Sequence, residues 1–181
     1  MTAWITTYTG RHVDPVQPDP EQLVPEDIAH ALSLICRGNG HVKTFYSVGQ
    51  HCIACAREAL ARGYSRRVAL GALLHDASEC YLSDVPSPFK RTLKGYREQE
   101  DALLDLIFTK FLGSPLTEEE SRQVFDIDRG LLGSDLRQLL NEEEVSSASP
   151  LLLPVDYTVL PFAQVEQTYL ELFHKMQNPF A

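Results

Sequence analysis

The sequence has no long apolar run, and this absence excludes the commonest membrane architecture. No stretch of it approaches the ~18 consecutive apolar residues that a helix needs to span a bilayer. The N-terminal residues also lack the basic-then-apolar pattern of a secretory signal. We therefore expect a cytoplasmic protein without a membrane partner.

Positive charge is scarce as well. The chain carries 16 Lys and Arg residues against 25 Asp and Glu residues, which gives a formal net charge of −9. Proteins that bind nucleic acids or membrane surfaces usually present a basic face, so we expect neither kind of partner. An anionic small substrate stays compatible with this composition, because bound divalent cations reverse the sign of the local field.

Cysteine is limited to four residues: Cys36, Cys52, Cys55 and Cys80. Cys52 and Cys55 form a C-x-x-C, a pattern found in zinc sites and redox pairs. There is no second C-x-x-C, and the segment around the first has a helical pattern rather than that of a zinc knuckle. We interpret these cysteines as small buried thiols in a reducing compartment.

The patterns that are present are mainly helical. At 181 residues, 44% apolar and 23% charged, the chain is typical of one globular domain, here over residues 1–181. A glycine-centred, β-branched segment at 3–17 predicts a short hairpin, and 146–161 is predicted to be a loop. Start and stop signals and apolar periodicity predict helices over about 25–36, 47–62, 66–81, 96–112, 117–140 and 162–176. The predicted fold class is all-α with an N-terminal β-hairpin.

One predicted helix ends in two side chains that can bind metals. The apolar run 68–74 is followed by His75 and Asp76, and Glu79 comes three residues later. Imidazole with carboxylate suits zinc, manganese, iron or cobalt better than calcium. A buried, unpaired carboxylate costs several kcal/mol, so Asp76 needs a cation or a dense set of donors. The alternative is that His75 caps the helix and Asp76 accepts backbone N–H groups.

Two further helices offer ligands of the same kind. His51 lies on the face that carries Val48 and Cys55. Asp128 is predicted to face the core, whereas Asp126 lies about 200° away on the same helix and is predicted to face solvent. The core-facing side is marked by Phe125, Leu131 and Leu132. Two imidazoles and two carboxylates would leave positions for water and substrate on a six-coordinate ion.

This order, H…HD…D in a helical chain, resembles the HD-domain metal-dependent phosphohydrolases. Residues 46–51, YSVGQH, are similar to the S-V-x-x-H helix of that family. Residues 75–90 resemble the H-D-x-x-E…D-x-P-x-P-x-K block of its small nucleotide-cleaving branch, and 128–132 resemble the D-x-x-x-L helix. That branch includes deoxynucleoside 5′-monophosphatases and phage dATP triphosphohydrolases. The resemblance covers about 26–140 and implies an HD-domain helical bundle.

The resemblance also implies roles for residues near the metal. The metal ligands would be His51, His75, Asp76 and Asp128. Glu79 would orient or deprotonate the attacking water. Asp84 would protonate the leaving oxygen or bond the sugar. The plainer alternatives are a surface helix acid for Glu79 and a turn residue for Asp84.

Four residues are candidates for substrate binding: Arg37, His41, Pro88 and Lys90. Arg37 occupies the position of a phosphate-binding arginine in the family, and its alternative is an interaction with its own helix C-terminus. Lys90 would add charge toward a longer phosphate chain. His41 is a candidate wall of the pocket or a solvated loop residue. Several relatives carry a tryptophan where this chain has Gly38, which leaves deoxyribose selectivity open.

Together with these residues, the resemblance implies a phosphohydrolase that uses cobalt, manganese, zinc, magnesium or iron. A metal-activated water would cleave (deoxy)nucleoside 5′-phosphates at the α-phosphorus, as in a dNTP triphosphohydrolase or a 5′-nucleotidase acting on dNMPs. The alternatives are a non-catalytic, nucleotide-binding HD module and a scaffold with a structural metal. The resemblance further implies a homo-oligomer, either a dimer or a hexamer.

Overall fold

The structure is a computed structural model, and it describes residues 4–142 and 150–178. Helices dominate these ranges, with two-residue strands β1 (Ile5–Thr6) and β2 (His12–Val13) in an antiparallel hairpin. Short 3₁₀ turns occupy Pro20–Gln22 and Arg37–Gly40. The helices are α1 Pro25–Leu34, α2 Val48–Ala61, α3 Arg66–Leu74, α4 Glu79–Leu82, α5 Ser87–Lys90, α6 Tyr96–Leu112, α7 Glu118–Leu140 and α8 Phe162–Gln177. The all-α fold class with a short hairpin is confirmed.

Local start signals explain where the main helices begin. The Ser47 side chain accepts from the Gln50 backbone N–H, and the Gln50 side chain accepts from the Ser47 backbone N–H, which closes a capping box on α2. Ser65 caps α3 through the Val68 N–H. A second capping box starts α7 at Thr117. These caps fix the residue at which each helix begins, and so which side chains of each helix face the candidate site.

The core lies between α2 and α3, with α1, α7 and α8 packed around them. Its largest fully buried side chains include Leu73, Ile127, Tyr169 and Phe173. Full burial of one such apolar side chain contributes about 1.5–3 kcal/mol to folding. The buried Tyr169 hydroxyl donates to the Leu73 carbonyl over 2.8 Å, which ties α8 to the end of α3. The last turn of α3 is therefore fixed against α8.

Two helices end earlier than the sequence predicts. α1 ends at Leu34 because the next residues extend and pair with the chain before α2: Val48 N–H donates to Ile35 O over 2.9 Å, and Cys36 bridges Ser47. α3 ends at Leu74, and the turn 75–78 separates it from α4. The prediction of one continuous helix over 66–81 is wrong, and the turn lies where the candidate ligands are.

The predicted core-facing side of α7 is wrong in part. Phe125 is 55% exposed and Leu132 is 40% exposed, whereas Leu131 is buried as predicted. Residues 150–161 carry no helix, as predicted, but the predicted loop also includes 146–149, which lie outside the described residues. The single-domain organisation over 1–181 stays a prediction. Within the described ranges, the structure contains no helix with the length and apolar character needed to cross a membrane.

Candidate metal centre

Two helices and the turn after a third bring the four predicted ligands together. His51 comes from α2, His75 and Asp76 from the turn after α3, and Asp128 from α7. Asp128 Oδ1 lies 3.0 Å from His51 Nε2 and 3.6 Å from His75 Nε2. Asp76 Oδ2 lies 3.3 Å from His75 Nε2. Ligand atoms about 2.1 Å from one ion are ~3.0 Å apart at right angles and ~3.4 Å apart at tetrahedral angles, so these separations fit one first-row divalent ion.

The hydrogen bonding of His75 leaves one ring nitrogen for a cation. Its Nδ1 lies 2.8 Å from the Ala72 carbonyl oxygen, which can only accept, so Nδ1 carries a hydrogen. Nε2 is buried and has no hydrogen-bond partner among the described residues. Leaving a buried polar atom unsatisfied costs about 1–3 kcal/mol. A cation at the cluster would use the Nε2 lone pair of the neutral ring and remove this cost.

His51 is fully buried between two carboxylates. Its Nδ1 lies 3.0 Å from Asp135 Oδ2, and its Nε2 lies 3.0 Å from Asp128 Oδ1. Metal-binding histidines commonly donate their second ring N–H to a carboxylate, which fixes the tautomer and directs the other nitrogen to the ion. Asp135 therefore serves as the orienting carboxylate for His51.

Asp135 belongs to none of the predicted motifs, although the sequence carries a signal for it. It follows Asp128 by seven residues, which is two helical turns and hence the same face of α7. Its Oδ1 accepts from the Tyr157 hydroxyl over 2.9 Å, and the same hydroxyl lies 2.8 Å from Ser134 Oγ. The Asp135 carboxylate thus connects His51 with the segment that leads into α8.

The cysteines of the C-x-x-C also lie at the centre. Both thiols are free and buried, in line with the interpretation from sequence, which places Cys55 on the face of His51 but does not predict either thiol as a metal donor. The donor atoms of Cys55, His51, His75 and Asp128 all lie within 4.8 Å of one another, and so do those of Cys52, His75 and Asp76. Cys55 follows His51 by four residues, so the helical repeat is the signal that places both on one face. The described residues therefore contain His, Cys and Asp groups that could hold a metal ion.

Arg37 lies between two of the carboxylates. Its guanidinium is 3.5 Å from Asp76 Oδ2 and 3.4 Å from Asp135 Oδ2. It belongs to the 3₁₀ turn after α1 and not to α1 itself, contrary to the prediction that it closes that helix. Although burial opposes its charge, Asp76 and Asp135 raise the pKa of Arg37 above its ordinary value. Arg37 is thus a permanent cation beside the predicted ligands.

Two further acids face the same space. Glu79 is 6% exposed, and no described residue hydrogen-bonds its Oε2. Burial, reinforced by Asp76 and Asp84, raises the pKa of Glu79 to about 9. Burial also raises the pKa of Asp84, against the opposing effect of Arg37. The metal-free site therefore holds Glu79 protonated at neutral pH, and a nearby cation would favour its ionised form.

These groups line a cavity of about 400 Å³. The described lining residues include five acids (Asp76, Glu79, Asp84, Asp128 and Asp135) and two cations (Arg37 and Lys90), beside a leucine wall from α7. Pro88 also lines it. Because acids outnumber cations, an anionic ligand would need divalent ions with it.

The structure also gives the surroundings of Lys90 and His41, two of the predicted substrate-binding residues. Lys90 Nζ lies 2.6 Å from Glu100 Oε1, so its charge is already paired. His41 is exposed and is not among the described residues that line the cavity. Gly38 does line the cavity and has a positive φ of 59°.

Metal affinity should fall in acid. Burial disfavours the charged form of both imidazoles, but Asp128 with Asp135 at His51, and Asp76 with Asp128 at His75, raise their pKa values well above the ordinary 6.5. Below these values a proton occupies each ring and competes with the ion. We expect manganese to bind more weakly at pH 6 than at pH 7.5, by about 30-fold for each ring that must release its proton, measured by calorimetry at constant ionic strength. An affinity that does not change over this interval would contradict the protonation of both rings.

Comparison with known proteins finds relatives of undescribed activity. The uncharacterized protein YfdR of Escherichia coli K12 is 37% identical over 109 residues, which are 60% of this chain and 58% of YfdR. An uncharacterized protein of Rhodobacter capsulatus is 38% identical over 115 residues, again 60% of this chain and 58% of the relative. No family model matches the sequence. The chain thus aligns with 58% of the length of the curated relatives that it matches.

Proposed function

We propose that the protein is a divalent-metal phosphohydrolase of the HD type that cleaves (deoxy)nucleoside 5′-phosphates at the α-phosphorus. The observation that carries the proposal is the cluster of two imidazoles and two carboxylates, with separations of 3.0–3.6 Å between neighbouring donors, beside a cavity that holds a buried acid and a guanidinium. The order of motifs along the chain supports the same conclusion. A cytoplasmic location and a homo-oligomeric state stay predictions.

Each residue then has a chemical task. A divalent ion held by His51, His75, Asp76 and Asp128 supplies Lewis acidity, which lowers the pKa of water and offsets phosphate charge. Glu79 accepts the proton of the attacking water, since its Oε2 is buried and free of hydrogen bonds from the described residues. Arg37 lies where a guanidinium can bind phosphate oxygens. Asp84, on the cavity wall, either protonates the leaving oxygen or bonds the sugar.

Whether the cavity binds a monophosphate or a triphosphate substrate depends on Lys90. A monophosphate would use Arg37 alone and leave the ion pair between Lys90 and Glu100 intact. A triphosphate extends past the α-phosphorus and carries enough charge to compete with Glu100 for the lysine. Both substrates are compatible with attack at the α-phosphorus, which releases phosphate from one and triphosphate from the other.

A product assay tests the proposal. Full-length protein with manganese or cobalt is offered dNTPs, dNMPs and their ribose counterparts separately, and the released nucleoside, phosphate and triphosphate are quantified. We expect nucleoside together with either triphosphate or phosphate. Asp128→Asn should abolish release, whereas Asp126→Asn, a matched change at an exposed position of α7, should leave it unchanged. Metal binding without hydrolysis of any nucleotide would overturn the proposal and favour a nucleotide-binding module.

A further inference from the structure

We propose that Cys55 is a metal ligand and that the centre contains two overlapping ligand sets. The open set is the one described above. The closed set replaces Asp76 with Cys55 and keeps the other three residues. Its members are His51, Cys55, His75 and Asp128.

The geometry of α2 supports the closed set. Cys55 follows His51 by one helical turn, so both side chains leave the helix on the same face. Cys55 Sγ lies 3.5 Å from His51 Nε2 and is 1% exposed. A tetrahedral zinc with a sulfur at ~2.3 Å and a nitrogen at ~2.05 Å places those two atoms about 3.5 Å apart. The Cys55 thiol therefore lies at the distance from His51 Nε2 that a shared zinc ion would require.

The orphaned nitrogen of His75 supplies an independent observation. Its Nε2 is buried, lacks a hydrogen bond from the described residues and belongs to the same group of donors as Cys55. Asp76, in contrast, is held by Arg37 over 3.5 Å and is absent from that group. A small soft ion can therefore collect two nitrogens, one sulfur and one oxygen without drawing Asp76 away from the arginine.

The two sets should prefer different ions. Thiolate favours zinc, whereas carboxylate-rich sets suit manganese and magnesium. When zinc binds, the Cys55 thiol gives up its proton to solvent and the thiolate forms the bond to the ion, with no change of oxidation state. Four protein ligands complete a tetrahedron and leave no position for water, as in structural zinc sites. Zinc should therefore inhibit the hydrolysis that manganese supports; this consequence rests on the proposed function, and the ligand assignment does not.

X-ray absorption spectroscopy of the zinc-loaded, full-length protein tests the assignment. We expect a sulfur scatterer at about 2.3 Å in the wild type, lost in Cys55→Ala and retained in Cys52→Ala. Cys52 is the matched control, since it is a buried thiol on the same helix that belongs to the other donor group. Cys55→Ala should also weaken zinc binding at least about tenfold and change manganese binding less than threefold, which shows that the variant is folded.

The outcomes separate the two proposals. A zinc spectrum with only nitrogen and oxygen scatterers in the wild type would overturn the assignment, and so would loss of sulfur in Cys52→Ala instead of Cys55→Ala. Zinc protein that hydrolyses nucleotides as fast as manganese protein would overturn the inhibition. Absence of hydrolysis with every metal would overturn the proposed function, while the sulfur signal would still decide the role of Cys55.

Discussion

Replacement of Glu79 by glutamine should lower kcat by about 10²–10⁴-fold while the bound metal stays at the wild-type level. Glu79 is buried in the cavity wall with one oxygen free of hydrogen bonds from the described residues. Glutamine keeps the shape of the side chain but cannot accept the proton of water. Because Glu79 is not one of the proposed ligands, the metal should remain. The measurements are steady-state kinetics with manganese and elemental analysis of the same samples.

Glu98→Gln is the matched control, because Glu98 is an exposed acid on α6. We expect wild-type turnover from this variant. Turnover of Glu79→Gln within threefold of wild type would contradict the role of Glu79 as proton acceptor. Loss of metal together with turnover would instead make Glu79 part of the binding site.

The pH dependence of stability tests the raised pKa of Glu79. Its pKa is raised from the ordinary 4.5 to about 9, chiefly by burial. Between these values the folded protein holds a proton that the unfolded chain has released, so this contribution to stability is complete below pH ~4.5 and is lost as pH rises through about 9. Glutamine has no such proton. In metal-free protein, the unfolding temperature of wild type should therefore fall relative to that of Glu79→Gln as the pH is raised from 5 to 8. A difference between the two unfolding temperatures that stays constant with pH would contradict the raised pKa.

Asp135→Asn should weaken manganese binding by about 10–100-fold, although Asp135 is not itself a proposed ligand. The Asp135 carboxylate can only accept a hydrogen bond, so when an ion takes the place of the hydrogen between Nε2 and Asp128, Asp135 would hold the remaining hydrogen of His51 on Nδ1. An asparagine amide can turn its N–H₂ group toward Nδ1, which places the ring hydrogen on Nε2 and blocks the ligand atom. Calorimetric titration of metal-free protein measures the loss.

Tyr157→Phe is the matched control for Asp135→Asn, because it perturbs Asp135 less. It removes the hydroxyl that donates to Asp135 Oδ1 and leaves in place the hydrogen bond that His51 Nδ1–H donates to Asp135 Oδ2. We expect manganese binding to weaken by no more than about threefold, because the His51 tautomer is unchanged. Wild-type affinity in Asp135→Asn would show that another group fixes the tautomer of His51.

Local signals predicted most of the helices, and long-range pairing explains the failures. The caps at Ser47, Ser65 and Thr117 are encoded within a few residues, and the structure has all three. The early end of α1 depends on pairing between Cys36 and Ser47, which are eleven residues apart. No local propensity contains that contact, so the helix was predicted two residues too long.

In the candidate site, too, local sequence patterns predicted some residues, and residues that depend on long-range contacts were not predicted. The order of histidines and aspartates in the sequence identified side chains that the fold brings within 3.0–3.6 Å of a neighbour. Asp135 was not predicted as a site residue and Cys55 was not predicted as a metal donor, because their importance lies in contacts to His51 and not in a motif. The pairing of Lys90 with Glu100 was missed for the same reason, since ten residues of turn and helix separate them.

The path from His51 through Asp135 to Tyr157 links the metal centre to a distant part of the chain. Leu152 and Leu153, in the same segment as Tyr157, donate their backbone N–H groups to Glu58 on α2 over 2.9 and 3.1 Å. Free-energy coupling between two sites is reciprocal, so an ion that ordered the His51 ring would strengthen the docking of residues 150–158 by the same factor by which that docking strengthens ion binding. A ligand or partner that pulled this segment from α2 would then weaken metal binding by that factor. Leu152 and Leu153, both exposed, are where such a change would reach the surface of the protein.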